Sequence, residues 1–368
     1  MRWRKMMIMA AAFFAVLVAV FLVSRHDAFL YKTALARVTN VKSIRQTPVQ
    51  DWHGNRDRRI RQQIHAVLLN GKHKGDAVRI VSTYTASQAF SQKYETGMQV
   101  FVHLGHRASG TWSGSITGVK RDTVVLIAAA VFVMLLLVVG KRQGACSAVS
   151  LLFNIGCLSL ALDFYLSHRD LSLLAIFSVA VIICTVVSLV LIGGRRRSTI
   201  VAILATLVTT YVSLLIAVLA IHLTSGNGIH YDLMEFVTIP PEKIFLSELL
   251  TGSLGAIMDV AITITSSLDE LQRRHPDVSK RRLRRAGFDI GGDIMGVMTN
   301  ILLFAYISGS APIIILCLKN GYPLNYAFSL NLSLEFIRFL VGSIGIVLAV
   351  PITIYLASQL LRRREAAS

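Results

Sequence analysis

Four carboxylic acids, Glu248, Asp259, Asp293 and Glu335, stand inside apolar stretches of membrane length, and a single guanidinium, Arg338, stands with them. Each belongs to a line of polar and small residues. The first line is Glu248, Gly252, Gly255, Asp259, Thr263 and Ser266; the second is Asp293, Gly296 and Asn300; the third is Asn331, Glu335, Arg338, Gly342 and Gly345. Steps of three or four residues put each line on one helix face. A charged side chain at bilayer depth costs about 2.5 to 3.5 kcal/mol on insertion scales, so these positions together predict polar faces turned inward, towards each other or water. The excess of acid over base predicts a proton or cation route rather than an anion pore.

Each residue also has a plainer use. Glu335 and Arg338 are three apart and can pair on one face, locking helices together as readily as serving a transport cycle. Asp289 follows Gly287 at the expected start of a helix, where an acid complements the helix dipole, and Asp293 is open to either use. Gly252, Gly255, Gly296, Gly342 and Gly345 allow close helix approach. Cys146, Cys157, Cys184 and Cys317 all lie in apolar segments, without disulfide or zinc spacing, and His222 and His230 are isolated. No nucleotide loop, metal motif or nucleophile elbow is present, so no cofactor or metal is expected.

The elements that must position these residues follow from hydropathy. With 368 residues, 54% of them hydrophobic, and 7 prolines, the chain reads as an α-helical polytopic membrane protein. About eight transmembrane helices are expected, over 6–23, 124–140, 145–166, 171–192, 200–223, 244–268, 293–318 and 330–356. A formal charge of +18 would suggest nucleic acid in a soluble protein, but here the basic residues cluster at the ends of apolar runs and in one N-terminal region. No nucleic-acid partner is expected.

Arg2, Arg4, Lys5, Lys141, Arg142, Arg195 to Arg197, the run Arg273 to Arg285 and Arg362 to Arg364 fall on one side, against Arg169, Lys243 and Lys319 on the other. That asymmetry puts both termini in the cytoplasm of a cell-membrane protein. Residues 1–23 are expected to be a retained signal anchor, 24–121 an extracytoplasmic β-rich domain, 122–361 a seven-helix membrane domain and 362–368 a basic cytoplasmic tail. The β reading rests on alternation at Ala34, Ala36 and Val38, at Ile64, Ala66 and Leu68, at Val78 and Ile80, and at Val100, Val102 and Leu104, with a turn at Asn70-Gly71. Arg56, Arg58, Arg59 and Arg61 give this domain a basic surface. The segment 224–243, with Gly226, Gly228, Pro240 and Pro241, cannot be a continuous helix.

The run LGAIMDVAITITSSLDEL, the segment GFDIGGDIMGVMTNILLFAYISGSAPIIIL and the ending LEFIRFLVGSIGIVLAVPIT together resemble the YibE/YibF-like family of bacterial integral membrane proteins. The leading anchor and KHKGDAVRIVSTYT resemble its longer, YibE-type members. The resemblance implies a hetero-oligomer with a shorter, YibF-type membrane homologue, and it puts the family's polar motif positions on Asp259, Asp293, Asn300, Glu335 and Arg338. It also implies a basic residue ahead of the acid at 293, where this chain has Gly292, leaving Asp293 without a local counter-charge.

The expected function is a permease or efflux transporter of an unidentified small solute or ion, coupled to protons or cations through the intramembrane carboxylates. One alternative is a non-transporting envelope scaffold or sensor. Another is an intramembrane aspartyl protease using Asp259 and Asp293, against which Ile290 stands where the first glycine of a Gly-x-Gly-Asp pattern would be.

Overall fold

Alternating apolar residues over 34–104 and continuous apolar runs from 122 onward demand two kinds of packing, and the chain folds as two units, Met1–Gly140 and Lys141–Ser368. The computed structural model describes residues 2–50, 54–88, 91–108, 110–168, 170–226, 228–231 and 240–361. The expected tail over 362–368, Arg169, and residues 227 and 232–239 of the segment after 223 lie outside the described residues.

In the first unit, helix α1 (Arg2–His26) passes through a 3-10 turn (Asp27–Leu30) into five strands. These are β1 (Leu35–Gln50), β2 (Arg56–Leu68), β3 (Ala77–Thr85), β4 (Gln99–Ala108) and β5 (Thr111–Val119). They close a barrel in the order β1-β2-β3-β5-β4. The alternating residues Ala36, Val38, Ile64, Ala66, Val78, Ile80, Val100 and Val102 are all buried inside it. Closure removes the exposed edges an open sheet would leave.

Four strands were foreshadowed by hydrophobic alternation; β5 was not. Its sequence, TWSGSITGV, is small and half-exposed, and it is placed by what its glycine lacks. A Cβ on Gly114 would stand 2.9 Å from the His103 carbonyl oxygen and 3.2 Å from Val78 Cγ1. Only glycine lets β5 lie between β3, which it pairs in parallel, and β4, which it pairs antiparallel.

One end of the barrel receives α1 and releases α2 (Asp122–Ser167). Lys120 fastens the two. Its Nζ, with a side chain 1% exposed, lies 2.9 Å from Asp27 Oδ1 and 2.9 Å from Asp122 Oδ2. It also donates to the Ser24 carbonyl, and the Tyr31 hydroxyl donates to Asp122.

The second unit contains α3 (Leu173–Gly193), α4 (Arg197–Leu223), α5 (Pro241–Gly252), α6 (Leu254–Arg274), α7 (Lys280–Lys319) and α8 (Leu324–Leu360). Among the described residues, six stretches are long and apolar enough to cross a membrane: α2, α3, α4, α5 with α6, α7 and α8. Three boundaries differ from expectation. The expected helices over 124–140 and 145–166 form one element, α2, broken at Lys141 (φ 48°, ψ −124°). The polar run from Lys141 to Gln143 supplies the break in place of a loop.

The helix expected over 244–268 is divided at Ser253 into α5 and α6. That expected over 293–318 starts thirteen residues earlier, because Ser279 caps it by accepting from the Arg282 amide at 3.4 Å. Pro312 is accommodated within α7.

The helical core is built where α4, α6, α7 and α8 meet. Ile257, Val260, Ile264, Leu268, Ile346, Ala349 and Ile354 are buried there. Glycines set the α7 to α8 spacing: a Cβ at Gly287 would meet Ile354 Cγ1 at 2.7 Å, and one at Gly291 would collide with Val350. A second cluster gathers around Phe245 and Leu250 of α5, with Leu214 of α4 and Val341 of α8.

Candidate functional site

Helix α6 has two unlike sides. Leu254, Ile257, Val260, Ala261, Ile264, Thr265 and Leu268 are buried. Gly255, Asp259, Thr263, Ser266 and Glu270, on the opposite side at 3.6 residues per turn, are exposed. Helix α7 repeats the pattern: Leu283, Gly287, Gly291 and Leu302 are buried, while Asp289, Asp293, Gly296 and Asn300 are exposed.

The expectation that these polar lines look inward is therefore corrected for α6 and α7. Both helices spend their apolar faces on the core shared with α8, and the acids are left pointing away from it. Among the described residues neither Asp259 nor Asp293 makes a hydrogen bond or ion pair. A Cβ on Gly255 or Gly296 would meet nothing within 4 Å, so these two glycines leave open shelves beside the acids.

The third line behaves differently. Arg338 donates to Glu335 one turn away and to Glu248 on α5. Its side chain is 17% exposed and its guanidinium carbon lies 5.5 Å from the centre of the Phe245 ring. The trio carries one net negative charge and ties α5 to α8. Beside it, Asn331 donates to the Ala327 carbonyl at 2.9 Å. Gly342 and Gly345 face the core, where a Cβ would stand 2.9 Å from Leu302 Cδ1 and 2.7 Å from Ile257 Cδ1 respectively, and one on Gly252 would stand 2.6 Å from Tyr306 Oη.

The sequence alone arranges these residues in three polar lines of one kind. The structure divides them into an ion-paired trio between α5 and α8, and unpaired acids on the free faces of α6 and α7. Asp289 also changes its meaning. It lies ten residues beyond the Ser279 cap, where the favourable effect of a helix N-terminus on an acid, confined to the first turn, has faded.

Two features escaped sequence reasoning. Gly287 and Gly291 are four residues apart, the spacing of a helix contact, and both lie against α8. The buried face of α4 is made of small and hydroxyl residues, including Ala202, Ala205, Thr206, Thr209, Thr210 and Ser213. Among the described residues, the hydroxyls of Thr206, Thr209, Thr210 and, on α8, Thr353 find no hydrogen-bond partner. Hydroxyls recurring at steps of three and four were the available signal.

With this geometry in hand, the comparisons with known proteins are specific. Residues 128–363 match the family model described as YibE/F-like protein, and residues 29–119 match that described as YibE/F family N-terminal domain. No curated protein and no solved structure matches the chain.

Proposed function

This chain belongs to the YibE/F-like family, and on that premise we propose that it is a multi-pass cell-membrane permease that moves a proton or small cation, or a solute coupled to one, along the free polar faces of α6 and α7. The observation that carries this reading is the position of Asp259, Asp293 and Asn300 on the exposed side of helices whose length and composition suit a bilayer. Left against hydrocarbon, each carboxylate would cost about 2.5 to 3.5 kcal/mol, so these faces border water or another protein. Unpaired acids attract cations and carry protons. No ion pair reaches Asp259 or Asp293 among the described residues, and Gly292 rather than a base precedes Asp293, so both stay unneutralised.

The accompanying topology has eight crossings: α1, two from α2 on either side of Lys141, α3, α4, α5 with α6, α7 and α8. Both termini are cytoplasmic and the barrel is extracytoplasmic, as the distribution of basic residues in the loops supports. A shorter member of the same family, docked on α6 and α7, would close the route and cover the shelves at Gly255 and Gly296.

Flux through proteoliposomes tests the reading. Asp259→Asn and Asp293→Asn each reduce proton-driven or cation flux by at least tenfold, and flux unaltered by both substitutions rules it out.

A non-transporting scaffold is the second reading, favoured by the Glu248, Arg338 and Glu335 trio, whose ion pairs tie α5 to α8. In that case deleting residues 24–121 abolishes complex formation and no flux is found. The protease alternative needs Asp259 and Asp293 to share a proton, and no hydrogen bond joins them.

A further inference from the structure

The end of the barrel that holds α1 and α2 is basic, apolar at its tip and fixed close to where α2, a membrane-length helix, begins. Only four residues separate His26, the last of α1, from Tyr31, a reach of at most about 17 Å. The turn between β2 and β3 is pinned to this same short segment. Asn70 donates to the Tyr31 carbonyl at 2.9 Å and the Thr33 carbonyl at 3.0 Å, and its Oδ1 accepts from the Leu35 amide at 2.7 Å. Lys72, His73 and Lys74 are thereby held beside the helix ends. An open groove of about 480 Å³ runs between the two parts, lined by His26, Phe29, Tyr31, Asn70 and Lys74 among others.

The charges around this groove are unbalanced. Asp27 and Asp122 are taken by Lys120. Asp76 is taken by Arg107 at 3.5 Å, by Trp112 Nε1 at 3.0 Å and by His73 at 3.8 Å. Among the described residues Lys32, Lys72 and Lys74 have no ion-pair partner. Next to them Phe29 is 80% exposed and Leu30 67% exposed, an apolar pair that water alone does not favour.

We propose that this end of the barrel docks on the bilayer surface, with Phe29 and Leu30 inserted among the lipids and Lys32, Lys72 and Lys74 holding the phosphate headgroup of an anionic phospholipid. Basic side chains are drawn to an anionic leaflet, and an aromatic wedge at headgroup level supplies the apolar share. The inference rests on the reading that α2 crosses a bilayer, and its test separates the two.

The full chain carrying Phe29→Trp is placed in nanodiscs of phosphatidylglycerol or of phosphatidylcholine, each brominated on shallow acyl carbons. In phosphatidylglycerol the added indole emits at short wavelength and is quenched at least twofold beyond the parent's background. Adding Lys72→Glu with Lys74→Glu removes the preference for phosphatidylglycerol and lowers its co-purification with the protein at least threefold. An indole that emits as in water and is not quenched, in protein that has entered nanodiscs, overturns the docking while leaving the membrane reading intact. Failure to enter nanodiscs overturns both. Equal quenching in the two lipids overturns the headgroup selectivity, and release of the bound lipid by millimolar inorganic phosphate shows an anion site rather than a lipid one.

Discussion

Arg338 of α8 donates to Glu248 of α5 across 90 residues of sequence, and the same guanidinium holds Glu335 on its own helix. A half-buried cation shared by two acids is hard to remove from one side. Arg338→Met leaves both carboxylates uncompensated and lowers stability by about 1 to 3 kcal/mol, less than for a fully buried pair because Glu248 keeps part of its hydration. Arg338→Lys keeps the charge but loses the fork that serves two acids, and it falls between. Thermal unfolding in detergent orders the three proteins. Equal stability of Arg338→Met and the parent would show that the trio holds nothing together.

Gly345 and Gly296 should respond in opposite ways to a side chain. Gly345→Val drives its methyls into Ile257 and costs about 1 to 3 kcal/mol. Gly296→Ala meets open space and gains up to about 1 kcal/mol of helix propensity. Reduced flux in a fully folded Gly296→Ala protein would then report on the exposed face rather than on folding.

These two glycines also show how far sequence carried. Both lie in lines of helical period, so membership of a face was legible, as were most of the membrane-length segments and four of five strands. Direction was not. A helix with one apolar and one polar side points its polar side inward in a channel and outward at a subunit contact, and its own residues are the same in both. Only the packing of Ile257, Val260 and Ile264 against α8 settles which way Asp259 points. Likewise, β5 carries little hydrophobic signal because its place depends on the missing Cβ of Gly114, a property of its neighbours.

Lys120 is the cation whose loss should be felt most in the barrel unit. Lys120→Met strands Asp27, whose side chain is 7% exposed, and costs about 3 to 5 kcal/mol. Combining it with Asp27→Asn recovers a large part of that loss. A double-mutant cycle followed by thermal unfolding measures the coupling, and strict additivity would mean that the two residues do not interact.

Alkaline stability should depend on Tyr31. Its donation to the Asp122 carboxylate, helped by burial, pushes the Tyr31 hydroxyl well above its ordinary value. The folded chain keeps this proton where the unfolded chain loses it, near pH 10. The stabilisation is therefore complete below about pH 10 and is lost progressively as pH rises above it. Tyr31→Phe flattens the decline between about pH 9 and 12, read as the unfolding midpoint of the barrel by circular dichroism. An unchanged slope would place the alkaline sensitivity elsewhere.

Because Lys120 brings Ser24, Asp27 and Asp122 together, the polypeptide enters and leaves the barrel at nearly one point. A domain with adjacent ends is an insertion in a hairpin, and it can be excised by a short splice. Joining α1 to α2 through a few glycines would leave the two helices successive in the chain and the order of every later helix unchanged. The barrel is in this respect a detachable module, gained or lost without re-threading the helices that follow it.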